Sequence, residues 1–80
     1  MKIYDFNGSK NICGIRVKEA RKKAKLSQQE LAAKLQVANI NIERDSVSRI
    51  EIGTRFVADY EIAALSKILK VSPSFLLGLE

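Results

Sequence analysis

Hydrogen-bonding side chains are concentrated in one short stretch of this sequence. Arg49 carries a planar guanidinium group that can donate two parallel hydrogen bonds, and the hydroxyl groups of Ser46 and Ser48 lie close to it in the chain. These groups suit the recognition of a flat surface with paired acceptor atoms. They do not supply a nucleophile with an adjacent base. The stretch therefore indicates binding chemistry.

Residues for catalysis are not grouped anywhere in the chain. The sequence has no histidine and one cysteine, Cys13, which falls on the apolar stripe of a predicted helix. It contains no glycine-rich phosphate loop and no carboxylates clustered on one helix face. One cysteine without histidine cannot build a zinc site. We expect no enzyme activity, no metal and no cofactor.

The positive charge is concentrated in the first third of the chain. Up to Leu26 the net charge is +6, whereas from Ser27 onward it is −1. A polyanionic partner near the first helix would fit this distribution, and so would a simply solvated helix face. Nucleic acid and an anionic membrane both qualify as partners. The first helix lacks the large apolar face of interfacial helices, so we expect no membrane binding.

Length and composition predict one domain in the cytoplasm. A chain of 80 residues is close to the lower size limit at which an apolar core stabilises a fold without disulfides or a bound metal. A single cysteine is typical of a protein in a reducing cytosol. We predict an extended or frayed arm over residues 1–11 and the domain over residues 12–80. The arm could pack back on the domain or follow a phosphate backbone.

Two short helices should position the hydrogen-bonding stretch. Ser27 and Glu30 have the spacing of a capping box, which predicts a helix starting at Gln28. Asp45 is a favoured N-cap residue, and Gly53 is placed to end a helix in a left-handed conformation. The pattern predicts a second short helix over about residues 46–52.

Three further helices complete the predicted architecture. The first runs from Gly14 to Ala24, and its buried stripe consists of Cys13, Val17, Ala20 and Ala24. Another begins with Asp59 as its cap and continues to about Lys70, and a last short helix follows the Ser72-Pro73 pair. No segment alternates with period two for long enough to be a strand. We predict an all-α fold, a compact bundle of five helices.

From about residue 12 to residue 78 the chain resembles the Xre-type helix-turn-helix family, which includes the phage repressors and Cro. The matching residues are Arg21, 26–32 (LSQQELA), 47–55 (VSRIEIGTR), Leu65, 69–72 (LKVS) and 75–78 (FLLG). The resemblance implies a phage-repressor-like domain that binds double-stranded DNA as a transcriptional regulator, with the helix at 46–52 in the major groove. It also implies a repressor. Because a single domain gives few base contacts, we expect a symmetric homodimer on a pseudo-palindromic operator. A protein-interaction module, such as the antitoxin partner of a toxin, is the alternative.

The resemblance implies roles for individual residues. Arg21 should pair with Glu51 as a structural ion pair. An arginine can donate twice to guanine O6 and N7, which makes Arg49 the leading candidate for a base contact. The expected base-contacting residues are Arg49, Ser48, Ser46, Asp45 and Arg44. The expected phosphate-contacting residues are Gln28, Gln29, Thr54 and Arg55.

The spacing between the two central helices departs from the family. The distance from Leu31 to Glu51 is about five residues longer than usual, which places an insertion between Leu35 and Asp45. The insertion should form a longer connection or an extended second helix. It could be a tolerated loop with Ile40 or Ile42 anchored in the core, or it could reach DNA through Asn39 or Asn41.

Overall fold

Five α-helices form the part of the chain that the computed structural model describes, residues 6–80. They are α1 (Gly14–Lys23), α2 (Gln28–Val37), α3 (Arg44–Ile52), α4 (Asp59–Leu69) and α5 (Pro73–Leu76). Within residues 6–80 the one β feature is an isolated bridge between Phe6 and Ser9. The predicted all-α bundle of five helices is confirmed. The first five residues of the predicted arm lie outside the described residues.

A single apolar core joins the five helices. Its fully buried large side chains come from all five helices, from the residue before α1 and from the connection between α2 and α3: Leu31, Leu35, Ile42, Ile50, Leu65, Leu76, Val17, Val47 and Cys13. Ala24, predicted on the buried stripe of α1, is exposed because the helix ends at Lys23 and Ala24 is its C-cap residue. None of the helices within residues 6–80 has the length and apolarity needed to cross a bilayer.

The predicted capping box at the start of α2 is present. The Glu30 amide donates to the Ser27 hydroxyl over 3.0 Å, and the Ser27 amide donates to the Glu30 carboxylate over 2.8 Å. The Ser72 hydroxyl likewise accepts from the Phe75 amide over 3.0 Å, with Pro73 in the first helical position. These local signals place both helix starts correctly because donor and acceptor are only three residues apart.

Two other predicted N-caps are wrong. Helix α3 begins at Arg44 after an extended Glu43, so Asp45 lies inside its first turn. Asp59 is the first residue of α4, and the preceding Ala58 amide donates to the Glu61 carboxylate over 2.9 Å. In neither case does the aspartate cap a helix, because the helical backbone begins two residues earlier than predicted in α3 and one residue earlier in α4.

The insertion forms a longer connection, since α2 ends at Val37. Within it Ile42 is fully buried in the core, and its carbonyl oxygen accepts a hydrogen bond of 2.8 Å from the Gln36 side chain. Asn39 adopts a left-handed conformation with φ of 65°, and both Asn39 and Asn41 are exposed. The buried Ile42 thus fixes where α3 begins.

Candidate nucleic-acid interface

Helix α3 has one face in the core and one in solvent. Val47, Ile50 and Glu51 are buried. Asp45, Arg49 and Ile52 are exposed and follow one another at helical spacing, so they share the outer face. Ser46 and Ser48 are half-buried at the two borders of this face. The predicted hydrogen-bonding residues are therefore presented together by a single short helix.

The N-terminus of α3 lies next to α2 across a polar groove of about 440 Å³. The groove is lined by Gln29, Gln36, Glu43, Arg44 and Asp45. The Arg44 guanidinium donates to the Asp45 carboxylate over 2.9 Å, with both side chains largely exposed. The structure thus brings together Gln29, expected to contact phosphate, and two residues that were expected to contact bases.

A buried ion pair fixes the inner side of α3. The Arg21 Nε atom donates to Glu51 Oε2 over 2.6 Å and Nη2 donates to Oε1 over 3.2 Å. A third bond of 2.8 Å runs from Arg21 to the Leu26 carbonyl oxygen. Arg21 and Glu51, which the resemblance pairs, are thus in direct contact, and this contact ties α1 to α3. Neither group is available for base reading.

Gln28 takes part in the same network, which sequence reasoning missed. Its side-chain nitrogen donates to Glu51 Oε1 over 3.0 Å, and the residue is half-buried. A primary amide carries two N–H donors, so one remains for another acceptor. The bond holds the N-terminus of α2 against α3. The contact of Gln28 with phosphate stays a prediction.

Arg55 also has a partner that sequence reasoning missed. Its guanidinium donates to both carboxylate oxygens of Glu61, over 3.0 and 3.2 Å, and to the Phe56 carbonyl oxygen over 2.8 Å. Glu61 is buried and closes the start of α4, so this pair anchors the loop after α3. The position of Glu61, three residues after the N-cap Ala58, predicts its bond to the Ala58 amide, but no sequence signal pairs it with Arg55. Thr54, in the same loop, is exposed.

The thiol of Cys13 is buried and forms part of the core. Burial raises the pKa of the Cys13 thiol to about 11, so the group is protonated and unreactive at neutral pH. The residue acts as a small apolar side chain, as its position on the stripe of α1 predicted.

Comparison with known proteins gives a consistent result. A helix-turn-helix family model, HTH_3, matches residues 17–76. The P22 c2 repressor protein, crystallised with a synthetic operator, is 27% identical and superposes with a TM-score of 0.73, covering 88% of this chain and 98% of that one. The restriction-modification controller protein C.AhdI from Aeromonas hydrophila is 32% identical, with a TM-score of 0.68 and coverage of 79% and 84%. No curated protein matches the sequence.

Proposed function

The chain belongs to the helix-turn-helix family HTH_3, and from this we propose that it is a transcriptional regulator that binds a specific sequence of double-stranded DNA. Helix α3 is the recognition helix and enters the major groove. The protein acts as a repressor in the cytoplasm. The similar P22 c2 repressor was crystallised with an operator, which supports a DNA partner here.

The observation that carries the proposal is the outer face of α3. Arg49 is exposed there and forms no ion pair with any residue from 6 to 80. A free guanidinium on the outer side of a short helix can donate to O6 and N7 of one guanine. Arg49 therefore reads a G·C base pair.

The residues around Arg49 supply the other base contacts. Asp45 is on the same face and can accept from the N4 amino group of cytosine, and Arg44 lies beside it. The hydroxyl groups of Ser46 and Ser48 can reach a base edge or a phosphate from the two borders of the face. Because α3 is only nine residues long, these contacts span few base pairs.

Phosphate contacts come from both sides of the recognition helix. Gln28 and Gln29 lie at the N-terminus of α2, where the helix dipole also favours an anion. Thr54 and Arg55 follow α3 on the other side. Gln28 offers its second amide donor, and Arg55 offers the nitrogen that does not face Glu61.

One domain of this size makes few base contacts, so a symmetric homodimer binds a pseudo-palindromic operator. Two recognition helices then fit half-sites about one helical turn, roughly 34 Å, apart.

The direct test is a titration of the purified full chain with the DNA immediately upstream of its own gene. A scrambled duplex of equal length and composition is the control, and both are measured at two salt concentrations. We expect the upstream DNA to bind at least about 10³-fold more tightly, with affinity that falls as salt rises. Equal, weak binding to both duplexes would overturn the proposal, and a pull-down for a protein partner would follow.

A further inference from the structure

The segment just before α1 lies against the C-terminal end of α3. The Lys10 amide donates to the Gly53 carbonyl oxygen over 2.7 Å. The Ser9 hydroxyl shares its one proton between the Asn11 carbonyl oxygen, at 2.7 Å, and the Gly53 carbonyl oxygen, at 3.2 Å. The Asn11 side-chain nitrogen donates to the Ile50 carbonyl oxygen over 3.0 Å. Residues 9–11 therefore supply hydrogen-bond donors to the end of the recognition helix, where carbonyl groups lack partners within the helix.

Asn11 connects three separate parts of the domain through one side chain. Its oxygen accepts from the Cys13 and Gly14 amides over 3.1 and 2.8 Å, which satisfies two backbone donors at the start of α1. Its nitrogen donates to Ile50 and also, over 2.8 Å, to the Arg55 carbonyl oxygen in the loop after α3. The oxygen and the nitrogen of the Asn11 side-chain amide therefore each have two hydrogen-bond partners.

Close packing at this point leaves little room for rearrangement. A Cβ atom on Gly14 would collide with the Ile50 carbonyl oxygen, so α1 and α3 approach each other with only backbone between them. A Cβ atom on Gly53, whose φ is 87°, would come within 2.6 Å of the Ser9 hydroxyl. The two glycines permit the contact that Asn11 and Ser9 then fix.

We propose that residues 9–11 form a clip that sets the position of the recognition helix, and that Asn11 is a positioning residue for the DNA-binding face. The inference rests on the proposed function only for its effect on DNA binding. Asn11 holds α3 through Ile50, the residue after Arg49, and holds the loop through Arg55. It therefore fixes the base-reading helix and the backbone-contacting loop relative to each other. The match to HTH_3 begins at residue 17, so the clip lies outside the part that the family model covers.

The substitution Asn11→Asp separates the two roles of this side chain. An aspartate keeps an acceptor for the Cys13 and Gly14 amides at the start of α1. It cannot donate to Ile50 and Arg55, and it places a negative charge against their carbonyl oxygens. Ser74→Asp adds the same charge at an exposed site on α5 and is the matched control.

Hydrogen exchange measures the clip without DNA. In Asn11→Asp we expect the Gly53 and Thr54 amides, which close the end of α3, to exchange at least about tenfold faster relative to the Leu65 amide in α4, because two hydrogen bonds are lost. A general loss of stability would instead increase the exchange rates of all three amides by the same factor. That result, or unchanged exchange, would overturn the clip.

DNA titration then measures the consequence. We expect Asn11→Asp to lower the ratio of upstream to scrambled affinity by about tenfold, from the loss of the same two bonds, with Ser74→Asp lowering it less than about twofold. If the wild-type chain shows no preference for any duplex, the proposed function fails while the exchange result still decides the clip. Faster exchange with an unchanged affinity ratio would overturn the positioning role. Ser9→Ala, a milder change, gives the same readouts if the aspartate variant does not fold.

Discussion

Two ion pairs of α3 have the same chemistry and opposite environments. In the Arg21–Glu51 pair the side chains are 10% and 1% exposed, whereas in the Arg44–Asp45 pair they are 55% and 71% exposed. A buried charge that loses its partner cannot be solvated, but an exposed charge exchanges its partner for water at little cost. The inner pair therefore fixes the helix, and under the proposed function the outer pair exchanges its partner for a DNA base.

The largest expected effect is on the inner pair. Arg21→Ala leaves the Glu51 carboxylate buried with the Gln28 amide as its remaining side-chain partner, and we expect the free energy of unfolding to fall by roughly 3–5 kcal/mol. Urea denaturation followed by circular dichroism measures the change. Lys18→Ala, at an exposed position on α1, is the control.

A double variant keeps this prediction testable if Arg21→Ala does not fold. Replacing both charges, as in Arg21→Met with Glu51→Leu, leaves no unpaired charge and should recover most of the lost stability. A loss for Arg21→Ala no greater than that of the control would show that the pair does not hold α3.

The next effect concerns DNA. Arg49→Ala removes the free guanidinium of the outer face, and we expect a loss of roughly 1–3 kcal/mol in binding to the specific site with relaxed preference at one base pair. Titration against a set of single-base variants of the site measures both. Gln29→Ala is the comparison, since the loss of a phosphate contact should weaken binding to all DNA sequences alike. Equal losses on specific and scrambled DNA for Arg49→Ala would remove it from the base-reading residues.

Breaking the outer pair should have a smaller effect on the free energy of unfolding. Arg44→Ala breaks an exposed contact between neighbouring residues and should change the free energy of unfolding by less than about 1 kcal/mol. The same variant should still weaken binding to the specific DNA. Urea denaturation and titration on one sample separate these effects, and a stability loss as large as that of Arg21→Ala would contradict the contrast between the pairs.

The smallest effect depends on pH. Hydrogen bonds from the Ser27 amide and hydroxyl lower the pKa of the exposed Glu30 carboxyl below its ordinary 4.5. Because the folded-state pKa is lowered, the stabilisation is present above the ordinary pKa and is lost as pH falls through the folded value. The urea midpoint of Glu30→Gln should therefore differ from that of the wild type at pH 7 and approach it at pH 3. A constant difference between these pH values would exclude the carboxylate as its source.

Local signals predicted the helices well where capping partners are close in sequence. Ser27 with Glu30, and Ser72 with Pro73, placed the starts of α2 and α5, and Gly53 marked the end of α3. The N-caps predicted at Asp45 and Asp59 are wrong because a favoured capping residue type does not determine at which residue the backbone becomes helical. The position of α3 also depends on the burial of Ile42 in the insertion. The sequence pattern did not show whether Ile40 or Ile42 would be the buried residue.

For the candidate site, the sequence predicted the residue types and the tertiary structure determined their neighbours. The resemblance paired Arg21 with Glu51, but no pattern indicated that Gln28 would join them or that Glu61 would engage Arg55. These partners depend on how α1, α2 and α4 pack around α3.

By itself the sequence determined the helical pattern, the excess of positive charge near the N-terminus and the absence of histidine, because these depend on residue type and short spacing. Only the tertiary structure decided which of the polar residues are free for a partner. It left Arg49 exposed, and it joined Asn11 to Ile50 and Arg55, 39 and 44 residues away. Hydrogen bonds over such separations exist only after the core has packed, because the core brings the two ends of the contact together.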